Sequence, residues 1–454
     1  MKIKVGFVSL GCPKNLINTE VMISDCVEKG YEVVADDIDA DVMVINTCAF
    51  IKEAKEEAIE NILDVAWLKK HKNLKGIVVA GCLPERYREE VFKELPEVDA
   101  IIGTGSFDEV TAAVEAAFKG EKYTCLREPA GSSLGGNRVV TTPGYFAYLK
   151  IAEGCGNHCS FCAIPKLRGP YRSREISDII EEAKELAGLG VSEVCLVAQD
   201  TSRYGEDIYG TPSLQTLIRR ISDIEGIKWI RLMYCYPERL TDGLINEFAE
   251  NPKLVKYIDL PIQHIDEDIL KRMNRRGGRE VIVSAISRLR ERAPSVAIRT
   301  SLIVGFPGES EEQFLSLLEF VKSTRFERLG VFEYSREENT PAYSMPGQMD
   351  AKTKKRRRDE IMKAQMEIHK SRNESKIGLT LEVICEGYDK IAESYYGRSQ
   401  ADAPDIDGKV YFSSDSKRLR EGEYINVKIT ESLGYDLLGK AVFGEKRREH
   451  TDEN

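Results

Sequence analysis

Three cysteines fall within eight residues in Glu153-Gly154-Cys155-Gly156-Asn157-His158-Cys159-Ser160-Phe161-Cys162, spaced C-x3-C-x2-C. The glycines, Asn157 and Ser160 make this stretch a loop. Thiolates so close can hold three corners of one [4Fe–4S] cube. No fourth Cys follows nearby, so one iron would stay open, which suits a cluster that binds a substrate rather than one that only relays electrons. Three plainer readings stand beside this one. A Cys3His zinc site could use His158, although His158 adjoins Cys159 and structural zinc ligands come in spaced pairs. Cys159-x-x-Cys162 could be a redox dithiol, which leaves Cys155 without a role. The thiols could also be buried structural groups, in a stretch that is polar for that purpose.

The chain has 454 residues, enough for about three domains. Its start, Met1-Lys2-Ile3-Lys4, leads into a short apolar run ending at Gly11 and Lys14, which reads as a first strand rather than a signal peptide. No apolar run approaches the ~20 residues of a membrane span. Eleven irregularly spaced cysteines point to a reducing cytoplasm and metal ligation, not disulfides. The net charge of −10 does not favour nucleic acid. Neither a membrane nor DNA is expected as a partner.

Residues 1–118 alternate apolar segments (Ile3–Leu10, Val42–Ile45, Gly76–Ala80) with helical patterns over Asn18–Lys29 and Lys52–Lys70. This alternation predicts a doubly wound parallel sheet. Each of the three strands ends in a Cys: Cys12, Cys48 and Cys82. Ligands of open α/β sheets bind beyond the carboxyl ends of the strands, so the three thiols should converge there as a second open cluster. A small Cys at a strand end is often only a core residue, but here there are three at equivalent positions. No Gly-x-Gly-x-x-Gly opens the first helix, which argues against dinucleotide binding.

The C-x3-C-x2-C loop, with Phe161 before its last Cys, resembles that of radical S-adenosylmethionine (SAM) enzymes. The resemblance implies that the open iron binds the amino and carboxylate groups of SAM, and that one electron cleaves SAM to a 5′-deoxyadenosyl radical. Together with Cys12, Cys48 and Cys82, the chain resembles the methylthiotransferase branch, which carries an auxiliary [4Fe–4S] cluster in its N-terminal domain. The implied cofactors are two [4Fe–4S] clusters and SAM.

Residues 119–140, with Gly131-Ser132-Ser133-Leu134-Gly135-Gly136-Asn137, read as a flexible linker in which Cys125 is incidental. Over 141–372, six strand-like runs are predicted: Tyr145–Ile151, Glu193–Ala198, Trp229–Met233, Tyr257–Leu260, Ala297–Val304 and Leu329–Tyr334. With helices between them they fit a partial (β/α) barrel whose C-terminal loops carry the chemistry. By resemblance Gln199 and Asp200 stand where the superfamily places its contact to the SAM amino group, although its usual Gly-Gly-Glu is absent. Ser301 to Glu309 resembles the strand that lies along adenine, bringing Ile303 and Gly305 to the cofactor. Phe161 and His264 complete the expected cofactor contacts. Cys195 and Cys235 read as core. Arg168 and Arg174 could grip carboxylates but read as surface residues.

Lys352-Thr353-Lys354-Lys355-Arg356-Arg357-Arg358 is a basic run that reads as a solvated face or an RNA contact. Residues 373–440 alternate apolar and polar over Leu379–Gly387, Lys409–Ser413 and Tyr424–Thr430, predicting a small β-barrel. It resembles the OB-like TRAM domain. Residues 374–440 hold 13 acidic and 9 basic residues, a balance suited to a basic protein. Asp402, Asp405 and Asp407 are expected to form its docking loop. Residues 441–454 read as a charged, frayed tail.

Cys12-Pro13-Lys14-Asn15-Leu16 and Tyr396 through Gly408 resemble the methylthiotransferases that modify the β-carbon of an aspartate in a small-subunit ribosomal protein, the twelfth. The branch that modifies an adenosine of transfer RNA has Gln-Met after the first Cys. The implied reaction transfers a methyl group from one SAM to sulfur at the auxiliary cluster, then uses a second SAM to make the radical. An external electron donor is required. The partner is then the ribosomal protein or the ribosomal subunit. Transfer-RNA methylthiolation and a non-catalytic iron–sulfur carrier or scaffold are the competing readings.

Overall fold

The computed structural model describes residues 2–415 and 418–443. The expected tail lies outside them from residue 444 onward. Six parallel strands form the first sheet: β1 (Lys4–Ser9), β2 (Glu32–Val33), β3 (Val42–Thr47), β4 (Gly76–Gly81), β5 (Ala100–Ile102) and β6 (Tyr123–Cys125), in the order β2-β1-β3-β4-β5-β6. The order reverses at β1, so β1 and β3 diverge into helices on opposite faces. Helices α1 (Pro13–Glu28) and α2 (Lys52–His71) follow β1 and β3, and the short α3 (Cys82–Tyr87) follows β4. β3 and β4 are buried along their whole length, as expected for strands covered by helices on both faces. The sheet reaches Cys125, beyond the boundary expected at residue 118. β6 is too short and too exposed to show a period.

The segment after β6 is not a free linker. Arg172 donates to the Pro129 and Ser132 carbonyls at 2.6 and 2.7 Å. Arg138 pairs with Glu20 of α1 and with Glu182, and Thr141 N–H donates to Glu20 at 2.7 Å. The glycines pass the chain across the domain boundary while these arginines pin it.

The second sheet is parallel and runs β7 (Phe146–Lys150), β10 (Glu193–Val197), β11 (Trp229–Leu232), β12 (Leu254–Asp259), β13 (Ala297–Val304) and β14 (Arg328–Glu333), each next to its successor. The pair β8 (Ala152–Glu153) and β9 (Arg172–Ser173) brackets the C-x3-C-x2-C loop. All six expected barrel strands are present. The outer core packs Ile179, Leu217, Phe248, Leu289 and Phe314 from the helices against the sheet.

The C-terminal module is a closed barrel of five strands, β15 (Thr380–Asp389), β16 (Ser394–Ser399), β17 (Val410–Ser413), β18 (Tyr424–Leu433) and β19 (Asp436–Val442). It seals the inside of the partial barrel. Ile384 and Ala403 join a core of Phe146, Cys195, Val197, Tyr257 and Ala297, to which α1 adds Ile17. Cys235 is buried in the larger core, so both cysteines read as core are core. Glu193 receives Arg231 at 2.7 Å and Arg398 of the C-terminal barrel at 2.6 Å, all three buried.

The acidic loop does not stand free for a partner. Asp402 is 3% exposed and pairs with Arg328 at the start of β14, and Tyr257 donates to Asp407 at 2.8 Å. Two of its three carboxylates fasten the module to the barrel. The basic run is likewise largely spent: Arg356 and Arg357 pair with Glu311, Arg358 with Glu333, and Lys354 donates to the Tyr334 carbonyl at 2.9 Å.

Candidate active site between two cysteine triads

Cys12, Cys48 and Cys82 sit at the carboxyl ends of β1, β3 and β4, at the edge where an open α/β sheet binds ligands. Side-chain amides and a hydroxyl tie the three loops together. Asn15 donates to the Leu10 carbonyl at 2.8 Å and to the Thr47 carbonyl at 3.2 Å. Asn46 donates to the Asn15 carbonyl at 2.9 Å. Thr47 donates to the Ala80 carbonyl at 2.7 Å and accepts from Leu83 N–H at 3.2 Å. Gly11 has φ +90°, and a Cβ there would stand 2.6 Å from the Cys48 Cβ. Only glycine lets these two loops close.

The second triad lies on the loop between β8 and β9. Gly154, at φ +81°, would put a Cβ 2.0 Å from the Pro170 carbonyl oxygen. Ser160 N–H donates to the Met273 carbonyl at 2.9 Å, and Ala342 N–H to the Ser160 carbonyl at 2.8 Å. His158 is exposed with φ +50°, and its carbonyl accepts from Asn274 at 2.8 Å. The zinc alternative therefore loses its fourth ligand. Among the described residues no three ligating side chains gather around a point that one ion could fill. Three soft thiols on each side, with a buried guanidinium beside each set, form the donor chemistry that an iron–sulfur cluster takes.

Those guanidiniums belong to Arg168 and Arg275. Arg168, expected at the surface, is 3% exposed. It donates to Cys82 Sγ at 3.5 Å and to Asn15 Oδ1 at 2.7 Å, and pairs with Glu153 Oε2 at 3.4 Å. Glu153 immediately precedes the second triad's loop. One chain, hydrogen-bonded at Cys82 and ion-paired at Glu153, thus runs through Arg168 from the first triad to the base of the second triad's loop. Arg174 is buried too, on the Lys150 carbonyl and Glu182. Arg275 approaches Cys159 Sγ at 3.9 Å.

The charges set the thiols apart. Burial pushes the Cys12 thiol up, but Lys14 and Arg168 outweigh it and bring it below its usual range. Burial, then the neighbouring Cys82 and Cys12, push Cys48 up to about 12. Cys155 is raised to about 11, chiefly by burial. Burial works against the Glu153 carboxylate, yet Arg168 and Lys150 hold it down to about 2.

The other expected cofactor residues divide into two groups. Phe161 and Ile303 pack on one small core with Ile269, Met273, Phe306, Tyr334 and Ala342, beside the cluster loop. Gln199 reaches Glu153 through its amide, and its Oε1 has no partner. Asp200, by contrast, is spent within the protein: it accepts from Asn157 at 2.9 Å and from Ser202 at 2.6 Å, bracing the cluster loop. His264 is fully buried, accepts from Asp266 N–H at 3.0 Å, and turns Nε2 toward Glu309 at 3.7 Å. Glu309 in turn accepts from the Gly305 and Phe306 N–H groups and pairs with Arg357. Gly305, at φ +72°, leaves room for Lys354.

Lys14, Glu153 and Arg275 were not legible as site residues. Arg275 does belong to a second basic run, Lys271-Arg272-Met273-Asn274-Arg275-Arg276, which is the only signal that could have found it.

Matches to known proteins follow this division. Residues 149–321 match the model of the radical SAM superfamily, residues 4–103 that of "Uncharacterized protein family UPF0004", and residues 377–442 that of the TRAM domain. The structure of the radical SAM methyltransferase TsrM from Kitasatospora setae shares the fold, with TM-score 0.56 and 12% identity over 84% of this chain and 77% of that one. The fold and the three-thiol loop thus define a radical SAM enzyme, a class that implies SAM and one [4Fe–4S] cluster. Proteins named ribosomal protein uS12 methylthiotransferase RimO are 50% identical in Thermoanaerobacter sp. (96% of this chain, 99% of the relative) and 51% identical in Caldanaerobacter subterraneus (96% and 99%). A third, from Geobacter sulfurreducens, is 48% identical over 97% of this chain and 99% of the relative. This chain belongs to the RimO family of radical SAM methylthiotransferases.

Proposed function

We propose that this enzyme methylthiolates the β-carbon of an aspartate in ribosomal protein uS12, using SAM and two [4Fe–4S] clusters. The observation that carries the reading is the pair of three-thiol sets joined by Arg168 and Glu153. Bound there, the groups would supply an electron for SAM cleavage at Cys155, Cys159 and Cys162, and a place for the donated sulfur at Cys12, Cys48 and Cys82. An unactivated C–H bond gives general acid–base catalysis no foothold, so a radical route is needed.

The chain's own residues do the rest. Arg168 and Arg275 offset the charge of the thiolates. Asp200 and Asn157 fix the cluster loop. Phe161, Ile303 and Gln199 are assigned to SAM contact, the first two through apolar surface and Gln199 through its free carbonyl. His264 and Gly305 act from behind, through Glu309, by setting the turn after β13. An external one-electron donor completes the system. Among the described residues no helix is long and apolar enough to cross a membrane, and eleven free cysteines suit the reducing cytoplasm.

Anaerobic incubation of the reconstituted enzyme with SAM, a reductant and either uS12 or transfer RNA tests this. A methylthio group on a uS12 aspartate is the expected mass-spectrometric result. A methylthio group on transfer RNA alone, or 5′-deoxyadenosine without any methylthiolated product, would refute it.

A further inference from the structure

Lys14 is only 6% exposed, and its Nζ stands 3.7 Å from the centroid of the Tyr234 ring. Among the described residues this ammonium makes no hydrogen bond and no ion pair. The nearby cations are committed elsewhere. Lys150 donates to Asn18 at 2.8 Å and pairs with Glu153, as Arg168 does. A buried ammonium has three donors to satisfy, and an aromatic face answers the charge but accepts no conventional hydrogen bond. Lys14 opens the 16-residue α1, two residues after Cys12. The helix's positive end therefore adds to the field that favours an anion there. Tyr234 is itself held in a left-handed conformation, φ +60°, with its N–H on Asp259 at 3.1 Å, which fixes the ring beneath the lysine.

We infer that Lys14 binds the carboxylate of the substrate aspartate and thereby selects an acidic side chain. This rests on the function proposed above. The carbon that takes the sulfur must come to the Cys12 side of the site, and its carboxylate is one bond away. A carboxylate withdrawn from water without a partner is costly. Arg168 and Lys150 already share Glu153, whereas Lys14 has its donors free.

The test uses holoenzyme reconstituted with iron and sulfide, and two probes: uS12, and uS12 with the target aspartate changed to asparagine. Dissociation constants are measured for wild type, Lys14→Met, Lys14→Gln and Lys14→Arg. Wild type is expected to prefer the aspartate form by about 30-fold or more, as for a buried charge pair. Lys14→Met should bring that ratio close to one, mainly by weakening the aspartate form, and Lys14→Arg should keep most of it. Lys14→Gln serves if the methionine variant fails to load iron. A neutral variant with the wild-type ratio overturns the inference. That holds even if methylthiolation is lost, because Lys14 would then serve the sulfur and not the substrate. If unmodified holoenzyme neither binds nor methylthiolates uS12, the functional reading itself has failed, and wild type alone reveals it.

Discussion

Arg168 Nη2 lies 3.5 Å from Cys82 Sγ, across the boundary between the first two domains. The arginine ends a short helix, Ile164–Arg168, in the same β8–β9 connection that carries Cys155, Cys159 and Cys162, so one buried cation serves both halves of the site. Arg168→Gln should make the auxiliary centre harder to reduce, because a positive charge that favours the reduced state is gone. It should also loosen the domain contact by stripping Glu153 of a partner. Arg168→Lys should recover much of the potential but less of the stability, since an ammonium cannot reproduce the guanidinium fork. Redox titration and thermal melting separate the two effects. An unchanged potential in Arg168→Gln would show that the contact is only structural.

The two triads should be separable. With Cys155, Cys159 and Cys162 changed to Ala, SAM cleavage should vanish while roughly half of the iron remains. With Cys12, Cys48 and Cys82 changed, 5′-deoxyadenosine should still form and methylthiolation should stop. Iron analysis of reconstituted wild type that accounts for a single cube would defeat the two-cluster reading.

The cysteine pattern and the barrel strands were legible because both are local signals. Spacing places thiols on a loop, and near-continuous apolar runs such as Ala147–Leu149 and Val194–Val197 mark strands buried on both faces. β2, β5 and β6 were too short to show a period. Charged residues misled more deeply. Arg168, Asp402 and Asp407 read as surface groups because burying a charge requires a partner, and theirs lie far off in sequence. Asp402 meets Arg328, 74 residues away. Arg168 meets Asn15, 153 residues away. Nothing local encodes such pairs.

The C-terminal barrel should depend on those same carboxylates for its attachment. Asp402→Asn removes a buried partner of Arg328 and leaves the guanidinium with Asp407, whose Oδ1 is 3.6 Å away. Breaking one side of a buried pair costs about 3–5 kcal/mol, and the remaining partner should bring the loss toward the lower end. Melting of the whole chain should drop by several degrees. Asp405→Asn, at an exposed position in the same loop, should melt like wild type. Equal stability of the Asp402 and Asp405 variants would refute the anchoring role.

His369 should make that attachment sensitive to acid. Burial, followed by the nearby Arg328, lowers its pKa to about 4. Nδ1 faces Arg328 Nη1 at 3.1 Å, while Nε2 faces the Tyr435 carbonyl at 3.3 Å and Asn373 at 2.9 Å. With Arg328 donating, the neutral ring accepts at Nδ1 and donates from Nε2 to Tyr435; a second proton at Nδ1 would face the Arg328 guanidinium, and the Glu327 carbonyl at 3.3 Å only partly offsets that repulsion. In the unfolded chain the ring protonates near its ordinary value of about 6.5. The unfolded state therefore binds more protons between those two values, and stability must fall as pH falls through that window. The contribution is complete above about pH 6.5 and lost by about pH 4, on the order of 3 kcal/mol in all. Asp402, whose pKa is lowered despite burial by Arg328 and Lys376, loses its own contribution only at lower pH. The histidine is thus isolated by comparing variants above pH 4.5. His369→Gln should be less stable than wild type at pH 7 but should lose less stability from pH 7 to 4.5, as read by urea unfolding. Parallel pH dependences for the two proteins would mean that His369 does not titrate on unfolding.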